Sequence, residues 1–302
     1  MRESSPGWQG VFPILVTPFD DQWRVDEEGL RRLVEFNIGA GVHGLGVALG
    51  SEVFRLSEAE RRQVTRIVVD QARGRVPIVI NTGAQGTDLA VLYSRMAEEA
   101  GADALMVMPP TLVPAGPMEL REYFRAISDA VRIPIFIQDA GSPPVPAGLA
   151  RQIAAESERV RYIKVESTPL PQRVAEAVTQ TGDLLTVFGG AGGDHFIEEL
   201  RCGSRGTMPS CSQPEAFVEV WNRCQSGDEP GACAVFDRKI APVNRIAARG
   251  WGAFYHTHKE ILRRRGVIRS AKVRGPIAPL DEASARELRA VIDELYSQDC
   301  HR

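Results

Sequence analysis

The stretch AGADALMV, residues 100–107, decides the fold. A small residue closes a helix, Gly101 turns the chain left-handed, and an apolar strand follows. The same layout recurs in AGVHGLGV (40–47) and CGSRGTMP (202–209). Three copies of one helix-to-strand joint point to repeated βα units. Outward from these joints, short apolar runs alternate with amphipathic ones. The apolar runs are VFPILVTPF, GLGVAL, VPIVINTG, ALMVMPP, IPIFIQD, RYIKVES, LLTVFGG and RGTMPS. Between them, one helical pattern begins at Asp26 and carries Leu30, Leu33, Val34 and Ile38. Ser57 and Glu60 read as a capping box, Thr87 as the cap of a third helix, and Pro117 and Pro146 suit first turns. Eight strand candidates precede residue 210, as a closed (β/α)8 barrel requires. An open doubly wound sheet would place a Gly-rich turn after the first strand; here that strand ends in TPFD. The expectation is a TIM barrel over residues 1–225. A small helical C-terminal extension follows over 226–302. Helices are expected at 214–225, 230–247, 253–265 and 281–296.

Composition narrows the partners. A net charge of −3, with no basic arm, argues against nucleic acid. No apolar run approaches the ~18 residues of a membrane span, and MRESSPGWQG carries no hydrophobic signal segment. A cytoplasmic location is the simplest expectation. The five cysteines, Cys202, Cys211, Cys224, Cys233 and Cys300, form no C-x-x-C pattern and read as reduced structural thiols. His256 and His258 lack a neighbouring acid or thiol cluster and read as surface residues, not a metal site. His43 and His195 read as loop residues.

Lys164 in RYIKVES stands out. The chain has four lysines, Lys164, Lys239, Lys259 and Lys272, against 32 arginines. Lys164 lies in an apolar strand whose alternation puts Tyr162, Lys164 and Glu166 on one face. At the end of a barrel strand, that face points to where such barrels keep their active sites. A desolvated lysine can become a neutral amine, a nucleophile toward ketones. Arginine stays protonated and cannot substitute. The competing reading is a Lys164–Glu166 ion pair without chemistry.

Several stretches together resemble the dihydrodipicolinate synthase / N-acetylneuraminate lyase superfamily of class I aldolases and dehydratases. They are PILVTPFD, ALGSEVFRLSEAER (48–61), IPIFIQDAG, YIKVES and FGGAGG…GSRGTMPS. The resemblance implies a barrel with a helical extension, Lys164 as the Schiff-base lysine, no metal or organic cofactor, and a homo-oligomer, dimer or tetramer. The chain also departs from the synthases. Where they carry Gly-Thr-Thr-Gly-Glu, it has Ala48, Leu49, Gly50, Ser51 and Glu52. Gln138 replaces the relay tyrosine of the fifth strand, Thr111 or Leu112 its aromatic partner, and no arginine follows in DAGSPPVPAG. SEVFRLSEAER, IPIFIQDAG and YIKVES are closer to the 2-keto-3-deoxy-L-arabonate dehydratases.

The resemblance implies a small 2-oxo acid substrate, pyruvate or a 2-keto-3-deoxy sugar acid. Lys164 would capture its C2 ketone. Proton transfer needs a group within hydrogen-bond reach, for which Glu166 and Ser51 are the candidates; Gln138 can orient or donate but is no acid or base. The turn at Gly50 and Ser51 suits the substrate carboxylate. Met208, Gly189 and Gly190 would line the pocket, although FGGAGGD could instead cradle a phosphate. Glu52 and Asp139 read as structural. Dehydration and aldol cleavage, as in the pyruvate-dependent aldolases, share these first steps. A barrel that binds 2-oxo acids without turnover and a metal-free isomerase of sugar phosphates are the further alternatives.

Overall fold

The computed structural model describes residues 7–141 and 143–297; the thiol expected at Cys300 lies outside them. Gly41, Gly101 and Gly203, the three joints, have φ of 82°, 90° and 95°. Glycine enters that region without the clash a Cβ would bring. The strands are β1 (Gly10–Val11), β2 (Leu45–Val47), β3 (Ile78–Asn81), β4 (Ala104–Val107), β5 (Ile135–Asp139), β6 (Val160–Val165), β7 (Thr186–Phe188) and β8 (Gly206–Thr207). In chain order they alternate with α1 (Glu27–Gly39), α2 (Glu58–Ala72), α3 (Thr87–Glu99), α4 (Pro117–Ala130), α5 (Ala147–Glu156), α6 (Leu170–Thr181), α7 (Phe196–Arg201) and α8 (Pro214–Gln225). Four helices follow: α9 (Glu229–Val235), α10 (Ala241–Ala247), α11 (Trp251–Arg264) and α12 (Glu282–Tyr296). The expected 230–247 helix is thus two, joined by a π-helical turn over Phe236–Ile240. Pro242 enters there, and its missing N–H and its ring displace the regular ladder.

The capping signals fold locally as read. Asp26 accepts from the Gly29 amide, and Ser57 and Glu60 exchange both capping-box bonds. Pro117 opens α4. Pro146 is the cap residue of α5, one position before its first turn. Thr87 starts α3, while Gly86 takes the cap position.

The chain divides into two units. The first holds the residues up to Phe12, His43–Ala48 and Val76–Pro209, hence all eight strands and α3 to α7. β2 to β7 pair in parallel and in chain order, and β1 pairs with β8. The ring closes on both sides of β1 and β8. The His43 amide donates to the Val11 carbonyl (2.9 Å), that of Arg205 to Val187 (2.8 Å) and that of Gly189 to Gly206 (2.9 Å). This is a TIM barrel, with helices following it in sequence. β1 is shorter than its apolar run because Pro13 has no N–H for the ladder. Inside the ring, Phe136 stacks on Tyr162 (4.3 Å, 13°) and Trp8 stacks on Tyr162 (5.5 Å). Phe188 meets Phe136 and Phe12 edge-on at 5.6 and 5.3 Å. Two residues beyond Phe136 and Tyr162, on the same strand faces, come Gln138 and Lys164.

The second unit comprises Pro13–Val42, Leu49–Arg75 and the residues from Ser210 on. Val243, Ile246, Ile261, Leu288 and Ile292 form one of its apolar clusters. Its buried charge is Glu52, whose Oε1 receives Lys259 Nζ at 2.5 Å with neither side chain exposed. Burial pushes Lys259 down to about 8 even with Glu52 beside it. Desolvation therefore outweighs the attraction, and the pair orients chains more than it stabilises them. Lys259 also donates to the Lys272 carbonyl (2.7 Å), and the Arg274 amide to Glu52 Oε2 (3.0 Å). The structural reading of Glu52 agrees with this role.

His258 departs from its expected surface position. It is fully buried, with Nδ1 2.9 Å from Ser212 Oγ, and burial pushes it down to about 3. Its helix phase explains this: Tyr255, His258 and Leu262 share the buried face of α11. Among the described residues no group of three His, Cys, Asp or Glu side chains could hold a metal ion, and the four cysteines there are free thiols. No described helix is long and apolar enough to cross a membrane.

Glu52→Ala would strand Lys259 as a buried, uncompensated charge. The expected loss is about 3–5 kcal/mol, read as a lower urea midpoint. The double variant Glu52→Ala/Lys259→Met should recover part of it.

Candidate active site

β6 carries Lys164 into the barrel interior one layer beyond the aromatic floor. In register it lies between Gln138 on β5 and Phe188 on β7, and it is 3% exposed. Glu166 follows the strand directly. Its amide donates to the Asp139 carbonyl (2.9 Å), which holds the chain beside β5. Glu166 Oε1 receives Lys164 Nζ at 2.8 Å and the Ala191 amide at 3.0 Å. Oε2 receives Gln138 Nε2 at 2.9 Å. Gln138 Oε1 in turn receives Asn81 Nδ2 at 3.4 Å. An amine, a carboxylate and two amides thus form one hydrogen-bonded chain across the ends of β3, β5 and β6, with Glu166 its partly exposed member.

Burial alone would raise the Glu166 carboxyl. The Lys164 charge, its hydrogen bond, the Gln138 amide and the Ala191 N–H together outweigh burial and hold it below its ordinary 4.5. Glu199, on α7, shows the opposite balance. It is fully buried and neither oxygen has a hydrogen-bond partner. Burial, then the negative charge of Glu166, push it up to about 8. The Gly190 amide draws it back only partly, without reaching hydrogen-bond geometry. Two carboxyls whose environments drive their proton affinities apart are a recurrent mark of acid–base sites.

Gly189 and Gly190 form a wall that no side chain could share. A Cβ on Gly190 would lie 2.5 Å from Glu166 Cγ and 2.6 Å from Lys164 Cε. One on Gly189 would lie 1.7 Å from Glu199 Oε2. Met208 is buried beside this wall, its amide donating to the Gly189 carbonyl at 3.1 Å. Asp139 is turned to its loop: it accepts from the Val145 amide (2.7 Å) and from the Ser167 hydroxyl, with Arg173 at 3.5 Å. His43 Nδ1 accepts from the Val11 amide (3.2 Å), and His195 precedes α7 in a turn.

Lys164, Glu166, Gln138, Gly189, Gly190 and Met208 are therefore brought together in the barrel unit. Gly50 and Ser51 belong to the second unit. There Gly50 sits in a tight turn, where a Cβ would come 3.1 Å from Ile14 Cγ2. The Ser51 hydroxyl donates to the Leu15 carbonyl, and Thr17 Oγ1 to the Ser51 carbonyl at 2.6 Å. Sequence pattern alone does not point to Asn81 or Glu199. The one signal at Asn81 is a polar residue ending an apolar strand. Glu199 offers none.

A family model, the dihydrodipicolinate synthetase family, matches residues 7–295. The chain belongs to the dihydrodipicolinate synthetase family. It is 29% identical to an L-2-keto-3-deoxyarabonate dehydratase of Azospirillum brasilense, over 97% of this chain and 96% of that protein. It is 31% identical to a 4-hydroxy-tetrahydrodipicolinate synthase of Maridesulfovibrio salexigens, over 94% and 97%. Among solved structures it resembles YagE of E. coli K12, a family protein crystallised with pyruvate. The TM-score is 0.87 and the identity 25%, covering 95% of this chain and 98% of that one. The dihydrodipicolinate synthetase family comprises class I lyases that use pyruvate or other keto acids, and this member is a lyase.

Gly190→Ala should keep the fold yet displace Lys164 and Glu166. Where such groups react, misplacing them by ~1 Å costs on the order of a hundredfold in rate. A steady-state assay beside a circular dichroism melt separates that loss from unfolding.

Proposed function

We propose that this lyase forms a Schiff base through Lys164 and dehydrates a 2-oxo acid of the 2-keto-3-deoxyarabonate type. The observation that carries the reading is the contact of Lys164 Nζ with Glu166 Oε1 at 2.8 Å in a buried barrel interior. The amine adds to the C2 ketone and water leaves, giving an iminium. The iminium draws electrons from the C3–H bond, and Glu166 takes that proton as the enamine forms. The enamine pushes out the C4 hydroxyl, which leaves as water with the proton carried by Glu166. Hydrolysis then frees Lys164.

Gln138 fixes the carboxylate and, as an amide, moves no proton itself. Gly189, Gly190 and Met208 bound the pocket. The likeness to the arabonate dehydratase supports dehydration. So does the pattern Gln138, Asp139, Ala140 with Lys164 and Glu166, which lacks the relay tyrosine of the synthases. Aldol cleavage, through the same enamine, is the second reading; the synthases among the relatives favour it. Assembly as a homo-oligomer belongs to the same proposal. Leu112 and Val113, in the loop before α4, are 81% and 77% exposed and offer apolar surface for such a contact.

Borohydride with pyruvate or 2-keto-3-deoxyarabonate should leave a permanent adduct on Lys164, found by peptide mass spectrometry; an unmodified Lys164 at saturating ligand refutes the reading. Glu166→Gln should still form the adduct while kcat falls roughly 10²–10⁴-fold. The product, an unsaturated or rearranged acid against pyruvate plus an aldehyde, separates dehydration from cleavage. Light scattering after size exclusion should return a dimer or a tetramer.

A further inference from the structure

Glu199 has no place in that mechanism, yet its surroundings are specific. β7 ends with Phe188 facing the barrel interior, so Gly189 faces outward toward α7 and Gly190 inward again. The outward glycine leaves the room that the Glu199 carboxyl fills, 1.7 Å from where a Cβ would stand. The inward glycine leaves the room for Glu166 and Lys164. Two carboxyls therefore press on one glycine pair from opposite sides, one touching the amine and one fully buried without a hydrogen-bond partner. A carboxylate cannot be buried ionised in that way without a counter-charge, so this one keeps its proton.

The groups around Glu199 agree. From the β6 side it faces Glu166, with Lys164 beyond. From its own segment come Glu198 and Asp194, both opposing its ionisation. β8 offers Thr207, the bridge partner of Gly189, and the loop before it offers Ser204, whose amide donates to the Glu199 carbonyl at 3.0 Å. Both hydroxyls are neutral. Arg205, next in line, donates to Gln9 at 2.6 Å. α6 carries Arg173 and Glu176, which pair with each other at 3.3 Å, Arg173 also reaching Asp139.

We propose that Glu199 is a positioning acid for the Lys164–Glu166 centre, holding a proton while Glu166 is a carboxylate and switching the centre off when that proton leaves. The proposal rests on reading Lys164 and Glu166 as the reacting pair. No bond to substrate is involved. Loss of the proton puts a second negative charge behind the glycine wall. That charge raises the proton affinity of Glu166, because the coupling of two carboxyls is mutual. Glu166 then holds the proton it must return to the leaving hydroxyl, and the anionic substrate is repelled.

The decisive measurement is the pH profile of Glu199→Gln against wild type. A single group titrating at about 8 makes wild-type kcat/KM fall about tenfold between pH 7 and pH 9. Glu199→Gln should fall less than twofold over that interval, and Glu199→Asp should regain a fall. An alkaline fall in Glu199→Gln equal to that of wild type overturns the proposal. Carboxyl ¹³C NMR on glutamate-labelled protein reads the same group without turnover. One resonance should titrate near 8, vanish in Glu199→Gln, and titrate lower in Glu166→Gln; its absence from wild type also overturns the proposal. If borohydride trapping fails while this resonance titrates as described, the Schiff-base reading falls and the paired carboxyls stand.

Discussion

Lys164 and Glu166 are two residues apart at the end of a strand, which by strand geometry alone separates their Cα atoms by roughly 6.6 Å. The ion pair at 2.8 Å closes that gap with side chains alone, and the rest of the site is arranged so that it can. Gly190 has no side chain because the pair occupies its space. Ala191 turns its amide to one carboxylate oxygen while Gln138 takes the other. Each oxygen of Glu166 is thereby assigned, which fixes the carboxylate plane as well as its position. The aromatic layer of Phe136, Tyr162 and Phe188 beneath it leaves the amine nowhere to retreat.

The protein contains a second buried lysine–glutamate pair, and the contrast is instructive. Lys259 and Glu52 are both fully buried, with Lys259 bound also to a backbone carbonyl and Glu52 to a backbone amide. That pair ties α11 to the turn after β2 and to the segment before α12. The Lys164 pair ties no chain segments that the β-ladder has not already joined. One pair specifies an arrangement of backbone; the other specifies an arrangement of side chains at the end of one strand.

What the sequence disclosed follows from how local each feature is. The barrel was legible because its joints are local: three glycines at positive φ, eight apolar runs, and caps that fold within one turn. Lys164 was legible through its rarity, and Glu166 through strand alternation. Asn81 escaped because β3 and β5 are not neighbours in the sheet; the two amides meet only because the sheet curls. Glu199 escaped because FIEEL offers two adjacent glutamates and nothing local to rank them. Helix phase does so, putting Glu199 on the side of Phe196 while Glu198 is exposed. The surface expectation for His258 fails for the same reason, since the buried face of α11 is set by what packs on it.

The preference for arginine over lysine has a consequence for the whole surface. Reducing sugars and free aldehydes condense with primary amines and leave protonated guanidinium groups largely alone. This chain shows such compounds few side-chain amines. Lys259 is sealed, and Lys239 and Lys272 are each engaged with an acid, Glu219 and Asp21. The chain's exterior therefore offers carbonyl compounds few amines with which to condense, and Lys164 stands apart from the other three, inside the barrel.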